Sequence, residues 1–148
     1  MKKKYQIFVS STYKDLTLAR QKVIEAILRM YHIPIGMEMF SAGDDEQWEI
    51  IRDSINLSDY YVLIIGFKYG SLTPEGISYT EKEYDYAIEQ GVPVLAFIQD
   101  RNITIATDNR DTDSSKLNKF IAKVKGKTRD TWTNVDELSS KVTSALYK

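Results

Sequence analysis

Two glutamates, Glu81 and Glu83, stand two residues apart in SYTEKEYDYA at residues 78–87, a segment that reads as the start of a helix. It lies between two apolar runs, DYYVLIIGFKYGS at residues 59–71 and GVPVLAFI at residues 91–98, neither long enough for a helix of its own. Strand, loop, helix, strand is the βαβ unit, and ligands of open parallel sheets bind outside the carboxyl ends of the strands. A carboxylate fixed there can stabilise positive charge developing on a ligand or trap it covalently. The same residues carry a second reading. Ser78 with Glu81, and Thr80 with Glu83, each spell a capping box, in which the glutamate only satisfies a backbone N–H. Taking 100° per residue, Thr80, Tyr84, Ala87 and Ile88 face the sheet, Glu81 and Glu83 lie on opposite flanks, and Lys82 points outward. Glu81 reads as a cap. Glu83, placed in the first helical turn, gains about 0.3–1 kcal/mol toward its ionised form from the helix dipole. It is expected to be charged at neutral pH unless strongly desolvated.

Other groups converge on the same cleft. Ser10, Ser11 and Thr12, after the first strand, offer hydroxyls and backbone donors to a phosphate or ribose, or simply form a turn and cap. After the third strand, Phe67 and Tyr69 can stack on a base and Gly70 leaves room for it; ordinary packing is the alternative for both rings. Glu38, at the end of the second strand, can bond ribose hydroxyls or pair with a neighbouring basic group. Residues 72–77, with Pro74 and Gly76, have the composition of a lid. Trp48 fits a core anchor or an assembly contact. The single histidine, His32, excludes histidine triads and multi-histidine metal sites, so no metal is expected. No GxxxxGK[ST] and no GxGxxG after the first strand occur, which excludes P-loop NTPases and classical dinucleotide oxidoreductases.

These residues need a frame to hold them. Residues 5–9 read as a first strand, followed by a helix capped by Asp15, whose Leu16, Ala19, Val23, Ile27 and Met30 form one stripe. A strand over residues 32–40 and a helix from Asp44 or Asp45 to Asn56, with Trp48, Ile51 and Ile55 on its apolar face, come next. Residues 60–66 are apolar throughout, as befits a central parallel strand. After the fourth strand, residues 99–115 are polar and read as a surface loop or insertion. A helix over residues 116–125, a strand over 128–133 and a last helix opened by Asn134 with Glu137 complete the chain. The alternation predicts one domain over residues 1–148, a three-layer α/β/α sandwich of about five parallel strands in flavodoxin-like order.

Composition narrows the function. With 148 residues, the chain has the length of one domain, able to bury roughly two thirds of its unfolded surface. It has no cysteine, which excludes thiolate catalysis and disulfides and fits a cytoplasmic setting. A formal charge of −1, with acids and bases interspersed, gives no footprint for nucleic acid or an anionic membrane. No apolar run is long enough to span a bilayer. A small molecule or another protein is the expected partner.

With that pattern in place, four segments in order, IFVSSTYKDL at residues 7–16, HIPIGMEMF at 32–40, SDYYVLIIGFKYGS at 58–71, and SYTEKEYDYA with GVPVLAFI, resemble the "domain of unknown function 4062" family. That family is similar to Toll/interleukin-1 receptor (TIR) domains and, more distantly, to nucleoside 2-deoxyribosyltransferases. TIR enzymes cleave the bond between nicotinamide and ribose in NAD, and the transferases cleave the bond between base and deoxyribose, each with one essential glutamate. Ser78, Tyr79 and Thr80 stand where TIR enzymes have a serine, an aromatic and usually a cysteine, and Glu83 stands where they have the glutamate. Glu83, Tyr84, Asp85, Tyr86 and Ala87 resemble the transferase pattern. The resemblance therefore implies Glu83 as the catalytic carboxylate, Ser78 and Tyr79 beside the substrate, and NAD or a related nucleotide as substrate rather than cofactor. It also implies self-association, a fused or partner NTPase or repeat protein, and a place in bacterial defence or stress systems. Relatives without catalysis, acting as assembly modules through residues 41–48 or as nucleotide sensors, define the alternatives.

Overall fold

A run such as YYVLII has no polar face, so it must be covered on both sides. A computed structural model of the protein, which describes residues 3–12, 14–36, 45–103, 110–124 and 129–147, gives it that place. Among the described residues five strands form one sheet, in the order β2-β1-β3-β4-β5, and every pairing is parallel. The strands are β1 (Gln6–Ser10), β2 (Ile33–Gly36), β3 (Tyr60–Ile65), β4 (Val94–Gln99) and β5 (Arg129–Trp132). This is the flavodoxin-like order expected from the alternation of elements. The helices are α1 (Thr17–Arg29), α2 (Asp45–Asn56), α3 (Tyr79–Glu89), α4 (Ser115–Val124) and α5 (Val135–Leu146).

The period of two along each strand sorts the core into two layers. Ile7, Val9, Val62, Ile64 and Phe97 pack against α1 and α5 through Leu16, Ala19, Val23, Ile27, Leu138 and Val142. Phe8, Tyr61, Leu63, Ala96 and Ile98 pack on the opposite face against α2, α3 and α4, through Ile55, Tyr84, Ala87, Leu117 and Phe120. Ser10 pairs in register with Leu63, and Phe8 with Tyr61. Because β1 leads to β2 on one side while β3 lies on its other side, the chain direction across the sheet reverses between β1 and β3. The carboxyl ends of these two strands are the switch point at which open parallel sheets form their ligand crevice.

Local chemistry explains several helix ends. Ser78 caps α3 by accepting from the Glu81 N–H at 3.0 Å, and Asn134 caps α5 by accepting from the Glu137 N–H at 2.9 Å. The Glu137 carboxylate returns the bond to the Thr133 N–H, one residue ahead of the cap. Asp15 does not cap α1. The cap position is Leu16, without a side-chain bond, and the Asp15 carboxylate instead accepts from the Thr12 hydroxyl. At the other end of α1 the His32 N–H bonds the Ile27 carbonyl and the Tyr31 N–H the Leu28 carbonyl, a full Schellman closure with Tyr31 at φ 63°. The corresponding closure of α3 uses Gly91, at φ 75°. Among the described residues no helix is long and apolar enough to cross a membrane.

Candidate functional site at the β1–β3 crevice

Glu83 is the fifth residue of α3, one turn in from the cap, where the sheet rather than solvent is its neighbour. It is only 3 % exposed, and its carboxylate accepts a 2.9 Å hydrogen bond from the Ser10 hydroxyl at the end of β1. Burial pushes its pKa up to about 7, against the pull of the Ser10 hydrogen bond and the Arg20 charge. The expected position in the first turn is thus corrected. Beyond that turn the dipole acts weakly, and desolvation sets the charge state. The capping-box reading of Thr80 with Glu83 falls as well, because the carboxylate is held by Ser10.

Ser10, the last residue of β1, and Ser11 and Thr12 after it are present at the site but committed. Ser11 donates to the Thr12 carbonyl at 2.7 Å and accepts from Arg20 Nη1 at 2.8 Å. Thr12 donates to Asp15, whose carboxyl is itself raised by burial. Arg20 is the residue that sequence reasoning missed: it is 1 % exposed, and its guanidinium lies close enough to Glu83 to favour the ionised carboxylate. Its signal was available. Position 20 is four residues past Leu16 and three before Val23, which puts a cation on the apolar stripe of α1. Tyr61, read only as part of an apolar run, is fully buried and stacks on Phe8 at 5.5 Å. Its hydroxyl has no hydrogen-bond partner among the described residues. Burial and the Glu83 charge push its pKa well up, and the nearby Ser10 hydroxyl, out of hydrogen-bond geometry, pulls the other way.

The loop after β3 closes the crevice. Gly70 has φ +97°, and a Cβ built there would stand 2.8 Å from Thr12 Cγ2 and 3.9 Å from Thr80 Oγ1, so only glycine lets the two loops meet. Tyr79 is half-buried at the first position of α3, its N–H on the Ser71 carbonyl at 3.1 Å. Ser78 is fully buried and acts as the α3 cap. Residues 72–78 form a small closed turn rather than an open lid: Leu72 bridges Ser78, and the Thr73 N–H bonds the Ile77 carbonyl at 2.7 Å.

Three expectations change at this end of the sheet. Tyr69 is committed to packing, with its ring edge-on to Phe120 and its hydroxyl donating to Glu81. Phe67 is buried, and the guanidiniums of Arg101 and Arg110 lie 3.9 and 4.9 Å from its ring centroid, so the ring is committed to them rather than open to a base. Glu81, expected to reach back to the helix start, instead receives Tyr69 and Lys123. Glu38 and most of the 41–48 segment lie outside the described residues. Trp48 packs edge-on to Tyr86 at 5.9 Å with the Lys82 ammonium 4.4 Å from its ring, an anchor between α2 and α3. His32 accepts from the Tyr5 N–H at 3.2 Å. No group of three or more His, Cys, Asp or Glu side chains among the described residues could hold a metal ion.

A doubly wound parallel sheet with a buried carboxylate at its crossover crevice defines the class of the molecule. The chain belongs to the domain of unknown function 4062 (DUF4062) family, whose model matches residues 6–147. No curated protein matches it. Among solved structures it is similar to the Clostridium botulinum CMP N-glycosidase BcmB, with 14 % identity and a TM-score of 0.61 over 95 % of this chain and 99 % of that one. At that identity the likeness shows a shared fold.

Proposed function

We propose that the chain cleaves the N-glycosidic bond of a nucleotide, with Glu83 as the carboxylate that meets the sugar. The observation that carries this reading is the burial of Glu83 at the β1–β3 crevice, hydrogen-bonded to Ser10 and balanced by Arg20. Breaking the bond from C1′ to the base nitrogen leaves positive charge on the sugar ring, which an ionised carboxylate stabilises or captures as an ester. In the second case the Glu83 oxygen bonds C1′ as the base departs with the bonding electrons. Water then takes the sugar and releases the carboxylate. A pKa of about 7 keeps both forms of Glu83 populated near neutrality. NAD needs only the ionised form, since its nicotinamide nitrogen is already cationic and leaves neutral. A pyrimidine nucleotide also needs a proton on the departing base.

Access is gated by the closed mouth. Substrate reaches Glu83 when the β1 and β3 loops part at Thr12 and Gly70, with Ser10, Ser11, Thr12, Gly70, Ser78 and Tyr79 around its path. The fold shared with a CMP N-glycosidase supports the reading, as does the resemblance to TIR enzymes. NAD as substrate, self-association that completes the site, and a role in bacterial defence or stress belong to the same proposal. Chromatography of NAD and pyrimidine nucleotides incubated with dilute and concentrated protein tests it. Base release lost in Glu83→Gln is the expected result; no release under either condition, with self-association intact, would transfer the function to an assembly module.

A further inference from the structure

Among the described residues, the pair of arginines on Phe67 has no carboxylate to offset the cost of holding two like charges together. Arg101 Nη1 donates to the Gly66 carbonyl at 2.7 Å and to the Gln99 carbonyl at 3.3 Å, which seats it across the ends of β3 and β4. Arg110 meets the same ring from the segment before α4. Burial and the neighbouring Arg110 charge both push the Arg101 pKa down, the signature of two like charges held together. The described acids next to them in the chain accept hydrogen bonds from other groups. Asp111 accepts from the Tyr69 N–H, Asp100 from the Asn102 N–H, and Asp113 from Ser115. Neither arginine has a carboxylate within ion-pair distance among the described residues. Planar donors pre-positioned in this way match the oxygens of a phosphate.

We propose that Arg101 and Arg110 form a phosphate subsite that holds the phosphorylated end of a nucleotide whose sugar faces Glu83. The proposal rests on the reading of Glu83 given above for the sugar, and on the arginines alone for the phosphate. The two places are joined by one short stretch: Phe67 carries the arginines and Gly70, three residues on, touches Thr12 at the mouth of the crevice. Neighbouring strands are about 4.8 Å apart, so the β3–β4 ends and the β1–β3 crevice lie within the span of one nucleotide. The subsite would select phosphorylated substrates over nucleosides, and its attraction would weaken with salt.

The test is calorimetric titration with inorganic pyrophosphate, a nucleoside monophosphate and the parent nucleoside, on the wild type and on Arg101→Gln/Arg110→Gln. The expected result is salt-sensitive binding of the first two ligands, weakened at least about tenfold in the double variant, with nucleoside binding unchanged. Arg110→Gln alone, which leaves the Arg101 anchors to β3 and β4 in place, should show a smaller loss in the same direction at an unchanged melting temperature. Equal phosphate affinity in wild type and variants overturns the subsite. The two readings fail separately. Nucleotide cleavage with an unaltered KM in the double variant removes the subsite and leaves Glu83, whereas arginine-dependent phosphate binding without any turnover leaves the subsite and removes Glu83.

Discussion

Glu81 and Glu83 lie two residues apart on α3, and the helix turns them toward different surroundings. Glu81 is 8 % exposed and receives two partners, the Tyr69 hydroxyl and the Lys123 ammonium, which also pairs with Asp85 at 3.0 Å. Among the described residues Glu83 receives one neutral hydroxyl, and its balancing charge comes from Arg20 on a helix across the sheet. Glu81 is tied to a direct cation, whereas Glu83, desolvated and balanced only coulombically by Arg20, is poised between two protonation states. Residue type and spacing do not distinguish the two. Position relative to the crossover crevice does.

The sharpest way to break that contrast is to remove the counter-charge. Arg20→Met should cost about 3–5 kcal/mol in urea unfolding at pH 8, because a buried guanidinium that balances Glu83 and bonds Ser11 is lost. The cost should shrink at pH 5, where Glu83 is protonated. Next in size is the pH dependence carried by Glu83 itself. Its folded pKa, about 7, lies above the ordinary glutamate value of 4.5, so the folded state binds the proton more tightly than the unfolded state. The resulting stabilisation is full below pH 4.5, declines as pH rises toward 7 and is absent above it, a change of about 3 kcal/mol. Glu83→Gln should flatten this slope, as read from unfolding midpoints between pH 4 and 8.

Smaller effects sharpen the other side. Glu81→Gln keeps an acceptor for Tyr69 and loses only the charge facing a half-exposed Lys123, so it should cost about 1 kcal/mol in thermal unfolding. It should leave base release intact while Glu83→Gln abolishes it. Smallest is Tyr31→Gly, in which the left-handed residue closing α1 becomes like Gly91 closing α3. A gain of about 0.5–1 kcal/mol is expected, since Tyr31 is exposed and loses little packing.

The sheet and its order were legible because short apolar runs, most clearly the six-residue β3 and β4, alternate with stripes at helical spacing. Leu117, Phe120, Ile121 and Val124 all reach the core, as their periodicity predicts. Glu83 was legible as a candidate through its place after β3 and through the family resemblance. Its surroundings were not, because they come from positions 10, 20 and 61, which meet only when α1 and the β strands pack. Asp15 misled because an aspartate before an apolar stripe has the look of a cap, and nothing local shows that Thr12 would claim it. Phe67 and Tyr69 misled for a similar reason. Aromatic residues after a strand signal a ring near the site, and whether the ring is bare depends on arginines and a glutamate far along the chain.

The measurement that tests the poised carboxylate most directly is a carbon-13 NMR titration of glutamate side-chain carboxyls between pH 4 and 9, comparing the wild type with Glu83→Gln and Arg20→Met. One carboxyl titrating near pH 7, missing in Glu83→Gln and shifted upward in Arg20→Met, is the predicted result. A wild-type spectrum in which every glutamate titrates in the ordinary carboxylate range, unaltered at Glu83 by the loss of Arg20, would contradict it.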